Sequence, residues 1–141
     1  MKTVALDSML FIYLFESDPR YIALVDPIFE QLEQGKLHGV TSMVTPLEIL
    51  AKPKLTYEPE NLAIFTQFFT KTPHLEVVPM SWEIVLIAAQ IRRTYSSIKT
   101  PDSLQLATAQ VKKTDIFITH DKKILNLNSF PVKIVPLENY K

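Results

Sequence analysis

Short runs of apolar and β-branched residues recur at 3–6, 37–41, 75–78, 115–119 and 132–135, and the stretches between them are long enough for helices or helical turns. This spacing constrains the fold more than any other feature of the chain. Antiparallel hairpin partners are joined by a few residues, whereas parallel strands need a crossover, usually a helix. A run that is apolar along its length is buried on both faces. The expectation is therefore an α/β domain over residues 1–141. Its central sheet is mainly parallel, and helices on both faces make a three-layer sandwich.

Capping and breaking residues place the helices. Ser8 can cap a short apolar helix that carries Leu10, Phe11, Ile12, Leu14 and Phe15. Asp18 and Pro19 predict the start of a second helix that runs to about Gln34, where Gly35 stops it. Pro27 lies inside that segment and predicts a kink or a restart, with Asp26 as a local cap. Thr45-Pro46-Leu47-Glu48 reads as a capping box, with Thr45 as the cap and Glu48 closing it. Pro53 ends that helix, and Tyr57-Glu58-Pro59 begins another. Ser81 caps a long helix to about Tyr95. Thr100 is read as the N-cap of the next, with Pro101 first and Asp102 in the first turn, facing the positive end of the helix dipole.

Composition removes several function classes. There is no cysteine, which excludes disulfides and thiolate metal sites and makes a reducing compartment, the cytoplasm, the expected location. Two glycines, Gly35 and Gly39, cannot form a glycine-rich phosphate loop. The formal net charge is zero, so nucleic-acid binding has to rest on local patches. No stretch approaches the ~20 apolar residues of a membrane span, and the N-terminal apolar run, broken by Asp7, is too short for a signal peptide.

Four carboxylates then stand out. Asp7 and Asp121 directly follow expected strands, while Glu48 and Asp102 sit in the expected first turns of helices. In a parallel α/β sheet, strand C-termini and the following helix N-termini share one edge, so all four converge there. Each has a simpler role as well: Asp7 as a helix cap, Glu48 as half of a capping box, Asp102 as a partner of the dipole and Asp121 as the start of a turn. Four clustered negative charges repel and raise their own pKa values, and a hard divalent cation removes that conflict. Oxygen ligands without cysteine suit Mg²⁺ or Mn²⁺. Such ions activate water and neutralise phosphoryl charge. His120 lies beside the group and reads as a solvated loop histidine, and His38 and His74 have no ligand-like spacing. Arg92, Arg93, Lys99, Lys122 and Lys123 are candidate phosphate contacts or solvated surface charges.

These stretches resemble a known family. Val4-Ala5-Leu6-Asp7-Ser8 with Phe11-Ile12-Tyr13-Leu14, Thr45-Pro46-Leu47-Glu48, Thr100-Pro101-Asp102-Ser103-Leu104-Gln105-Leu106-Ala107-Thr108-Ala109, and Asp115-Ile116-Phe117-Ile118-Thr119-His120-Asp121 are similar to PIN-domain ribonucleases. The likeness is greatest to the VapC-type toxins of toxin–antitoxin modules. It implies a metal-dependent endoribonuclease with Asp7, Glu48, Asp102 and Asp121 as catalytic and metal-site residues. It also matches Ser8 and Thr119 to supporting hydroxyl positions. It implies an RNA substrate, a cognate antitoxin and a homodimer. Phe11, Ile12, Tyr13 and Phe15 serve either those contacts or the core. Met9 stands where the family often has Asn, and Gln105 where it often has His, which implies a difference in substrate positioning. Two other readings are an RNA-processing nuclease on the same scaffold and a receiver-like signalling domain with an acidic Mg²⁺ pocket. The receiver would need an adjacent acidic pair after the first strand, and Asp7-Ser8 does not supply it.

Overall fold

The structure, a computed structural model, describes residues 1–140. Five strands form one sheet: β1 (Lys2–Leu6), β2 (Leu37–Ser42), β3 (Leu75–Val78), β4 (Ile116–Thr119) and β5 (Lys133–Pro136). Their order is β3-β2-β1-β4-β5, and every pairing is parallel. The expected mainly parallel sheet is thus wholly parallel among the described residues. The helices are α1 (Ser8–Phe15), α2 (Ile22–Glu33), α3 (Val44–Leu50), α4 (Pro53–Thr56), α5 (Glu60–Lys71), α6 (Trp82–Thr94), α7 (Thr100–Val111) and α8 (Lys122–Leu125).

Strand alternation divides the core into two layers. On β1, Val4 and Leu6 face one way and Ala5 the other; on β4, Ile116 and Ile118 oppose Phe117. The first face packs on α1, α2, α3 and α5 through Leu10, Phe11, Leu32, Ile49 and Phe69. The second packs on α6, α7 and α8 through Ile84, Ile91, Leu106 and Ile124. Phe11, Ile12 and Tyr13 are buried, and Phe15 stacks on Phe65 with centroids 4.6 Å apart, so these side chains serve the core. Gly39 lets α2 approach the sheet: a Cβ there would stand 2.9 Å from Leu32 Cδ2. Among the described residues, no helix is long and apolar enough to cross a membrane.

Several local expectations are corrected. Asp7, not Ser8, caps α1, with its carboxylate accepting from the Ser8 N–H. Helix α2 starts at Ile22, because Asp18 instead closes a turn by accepting from the Arg20 N–H and pairing with the Arg20 guanidinium. It continues through Pro27 without a restart. Pro27 lies inside the helix, so α2 forgoes the one bond that its N–H would have made to the Ala23 carbonyl. The N-cap of α7 is Lys99, and the Thr100 hydroxyl accepts from the Arg92 guanidinium at 2.8 Å.

Candidate active site

With order 3-2-1-4-5, the chain turns to opposite sides after β1 and after β4. This makes a crevice at the C-terminal edge where the two strands meet. The backbone seals the junction: Leu6 is in register with Ile118, and the Asp7 N–H donates to the Ile118 carbonyl.

Asp7 sits at the end of β1 and is only 3% exposed. Its Oδ1 accepts from the Ser8 N–H at 2.8 Å, and its Oδ2 accepts from the Thr119 hydroxyl at 2.6 Å. The same hydroxyl accepts from the Asp121 N–H at 3.0 Å, so Thr119 joins the two loops that carry Asp7 and Asp121. Asp121 caps α8 by accepting from the Lys123 N–H. Asp102 lies in the first turn of α7, as expected. Glu48 lies one turn into α3 rather than at its start, because α3 begins at Val44. The expected capping box is therefore not formed, and the Thr45 hydroxyl bonds to Gln105 and Thr41 instead.

Burial and like charge act together on these groups. Burial, with added repulsion from Asp102 and Asp121, pushes Asp7 up to about 7 against the opposing hydrogen bonds from Thr119 and Ser8. Burial raises Glu48, the Ser8 hydroxyl beside it opposes, and Asp102 adds to the rise. Burial raises Asp102, Asp121 adds to it, and Lys123 opposes. The four carboxylates thus share one electrostatic field. They are not drawn into a closed cage: among the described residues, no three acidic or histidine side chains form a ready-made metal-holding group.

Other expectations resolve differently. His120 is not a free loop side chain. Its Nδ1 is 2.8 Å from the Tyr13 hydroxyl, and its ring meets Tyr21 edge-on at 4.7 Å. No periodicity marks that contact in the sequence, since Tyr13 and His120 are 107 residues apart. The sequence names Thr45 as a cap and Gln105 as a departure from the family, but not the contact between them: with Thr41 they are buried polar side chains linked in a chain one turn below the carboxylates. Thr41 itself is not singled out, and its one cue is a hydroxyl in a buried strand. Among the basic candidates, Arg92 is bonded to Thr100 beside Asp102, Lys99 caps α7, Lys122 and Lys123 lie on α8, and Arg93 is exposed near the end of α6.

The PIN domain pattern matches residues 4–129. The chain belongs to the PIN domain family. Solved structures agree on the fold. VapBC2 from Rickettsia felis bound to a promoter DNA fragment is 14% identical, with TM-score 0.72 over 95% of this chain and 98% of that one. DNA-bound VapBC from Salmonella typhimurium is 18% identical, with TM-score 0.71 over 97% and 99%. A toxin–antitoxin complex from Klebsiella pneumoniae is 20% identical, with TM-score 0.70 over 95% and 97%. Comparison with curated protein sequences finds no match. The donor chemistry of this PIN domain suits a hard divalent ion. All four candidates are oxygen ligands, the sequence has no cysteine, and a cation would offset the burial and the added mutual repulsion that raise Asp7 and Asp102.

Proposed function

We propose that this PIN domain is a Mg²⁺- or Mn²⁺-dependent endoribonuclease, acting as the toxin of a toxin–antitoxin module. The observation that carries the reading is the shared field of Asp7, Glu48, Asp102 and Asp121 at the β1–β4 crevice. These four side chains would hold the ion. When bound, it supplies water activation and neutralises charge on the phosphoryl oxygens.

The chain's own residues prepare that chemistry. Thr119 and the Ser8 N–H each occupy one lone pair of Asp7, which fixes its carboxylate and leaves one lone pair free on each oxygen. Asp121 is held by the Lys123 N–H through Oδ1 alone, so its second oxygen remains available to orient water. Arg92, Lys99, Lys122 and Lys123 flank this edge and are assigned to the RNA backbone, with Arg92 pre-oriented by Thr100. The antitoxin and a homodimer are carried over from the resemblance, and toxin–antitoxin complexes are what the Rickettsia, Salmonella and Klebsiella structures contain. A cytoplasmic location belongs to the same reading.

The test is cleavage of RNA by purified protein in Mn²⁺, its loss in EDTA, and its absence in Asp7→Asn. Full activity in chelator with trace metal excluded would overturn the nuclease assignment. For the toxin role, expression should arrest growth, Asp7→Asn should not, and co-expression of an adjacent small gene should restore growth. Active, soluble protein that leaves growth untouched would assign the domain to RNA processing instead.

A further inference from the structure

Beneath the carboxylates runs a closed chain of hydrogen bonds. Gln105 Nε2 donates to Thr45 Oγ1 at 2.6 Å; Thr45 and Thr41 meet at 2.6 Å; Thr41 Oγ1 donates to the Leu6 carbonyl at 2.9 Å. Gln105 Oε1 accepts from the Ser42 N–H at 3.2 Å. The direction of the chain is fixed. Thr41 has one proton and gives it to Leu6, so Thr45 must donate to Thr41. Thr45 can then only accept from position 105, while the Ser42 N–H needs an acceptor there. A carboxamide meets both demands at once. Gln105 is 2% exposed and Thr45 fully buried, so an unmet demand at this point has no water to satisfy it.

The members of this chain sit at telling positions. Leu6 directly precedes Asp7, Thr45 is one turn before Glu48 on α3, and Gln105 is one turn after Asp102 on α7. Residues three apart on a helix lie on one face, so fixing Thr45 and Gln105 fixes the azimuth of Glu48 and Asp102. We infer that Gln105 is a positioning residue that registers Glu48 on α3 and Asp102 on α7 against Asp7 at the end of β1, through its bonds to Thr45 and Ser42. The inference rests on the proposed function, in that it assigns this network to the same site. Its task follows from the absence of a preformed cage. Carboxylates on three separate elements close on an ion only if the elements themselves hold register, and partners behind metal ligands act in this way.

The test uses the full chain and Mn²⁺ alone as the probe. Gln105→Met keeps the side-chain length and removes donor and acceptor; it should weaken Mn²⁺ binding by about 10–100-fold while the circular dichroism spectrum is retained. Thr45→Val breaks the same chain one link on and should give a loss of the same order. Gln105→His, which again offers one donor and one acceptor, should recover part of the affinity. A metal-free readout stands beside these. With carboxyl carbons labelled, the ¹³C signals of Glu48 and Asp102 at fixed pH should move in Gln105→Met, while that of distant Asp18 stays. Unchanged Mn²⁺ affinity with unmoved Glu48 and Asp102 signals in Gln105→Met and Thr45→Val would overturn the inference. So would equal movement of those signals in Ile28→Val, a core change on α2 outside the hydrogen-bond chain. If the wild type binds no Mn²⁺, the proposed function fails on its own account, and the metal-free spectra still decide the role of Gln105.

Discussion

Replacing Asp7 by Asn should stabilise the metal-free protein, and by an amount that depends on pH. The buried Asp7 carboxyl titrates near 7 in the folded chain against an ordinary value of 3.8. Between about pH 4 and 7 the unfolded chain has released a proton that the folded chain still holds. Stability therefore falls as pH rises through this window, and the full penalty is present above pH 7. About three pKa units at 1.36 kcal/mol each give a penalty of ~4 kcal/mol. Asn carries no such penalty. It can still accept from the Ser8 N–H, but it inverts the bond to Thr119, a loss of about 1 kcal/mol. The net expectation is a gain of roughly 2–3 kcal/mol at pH 8 and a small loss near pH 3, where both chains are neutral at this position. Urea unfolding in chelator at several pH values, with the m-value unchanged, measures the difference directly. A difference that does not vary with pH, or a variant less stable than wild type at pH 8, would refute the electrostatic account of the site.

Three further outcomes follow from the same geometry. Mn²⁺ must displace the Asp7 proton, so its affinity should fall about tenfold per pH unit below 7, and calorimetry in buffers of different ionisation enthalpy should record proton release. Asp102→Asn should leave metal-free stability unchanged or slightly raised, since only ~0.3–1 kcal/mol of dipole interaction is lost while repulsion by Asp121 is relieved. RNA cleavage by that variant should drop by orders of magnitude, and a much lower melting temperature with activity retained would make Asp102 a structural cap. Gly39→Ala should destabilise by about 1–3 kcal/mol in urea unfolding, because the new methyl meets Leu32, yet leave cleavage per folded molecule intact.

The sheet was legible because each strand is a short run rich in apolar and β-branched residues, and because spacing long enough for a helix or helical turn favours parallel pairing. Ser81 and Gly35 marked helix ends correctly, since in each the local conformation itself needs that residue. Where capping differed from expectation, another partner had taken the side chain. Thr45 is held by Gln105 from 60 residues away and Thr100 by Arg92, while Asp18 is taken locally by Arg20 in the turn it closes. The convergence of Asp7, Glu48, Asp102 and Asp121 on one edge followed from topology. Their failure to close into a cage did not, because it depends on side-chain separations that no pattern encodes. Tyr13 and His120 were invisible as a pair for the same reason.

The central place of β1 also sets an order of assembly. Its neighbour β2 lies about one helix-turn-helix away along the chain, but its other neighbour, β4, comes more than a hundred residues later, and the Asp7–Thr119 contact spans 112 positions. During synthesis β1, β2 and β3 can pair while β4 is still being made, since closure of long loops is slow and late. Until β4 arrives, Asp7 has neither its hydroxyl partner nor the neighbouring charge of Asp121. A nascent chain of this topology therefore carries the beginnings of its crevice without the crevice. Whatever the finished edge does, it can start only after β4 has left the ribosome and paired with β1.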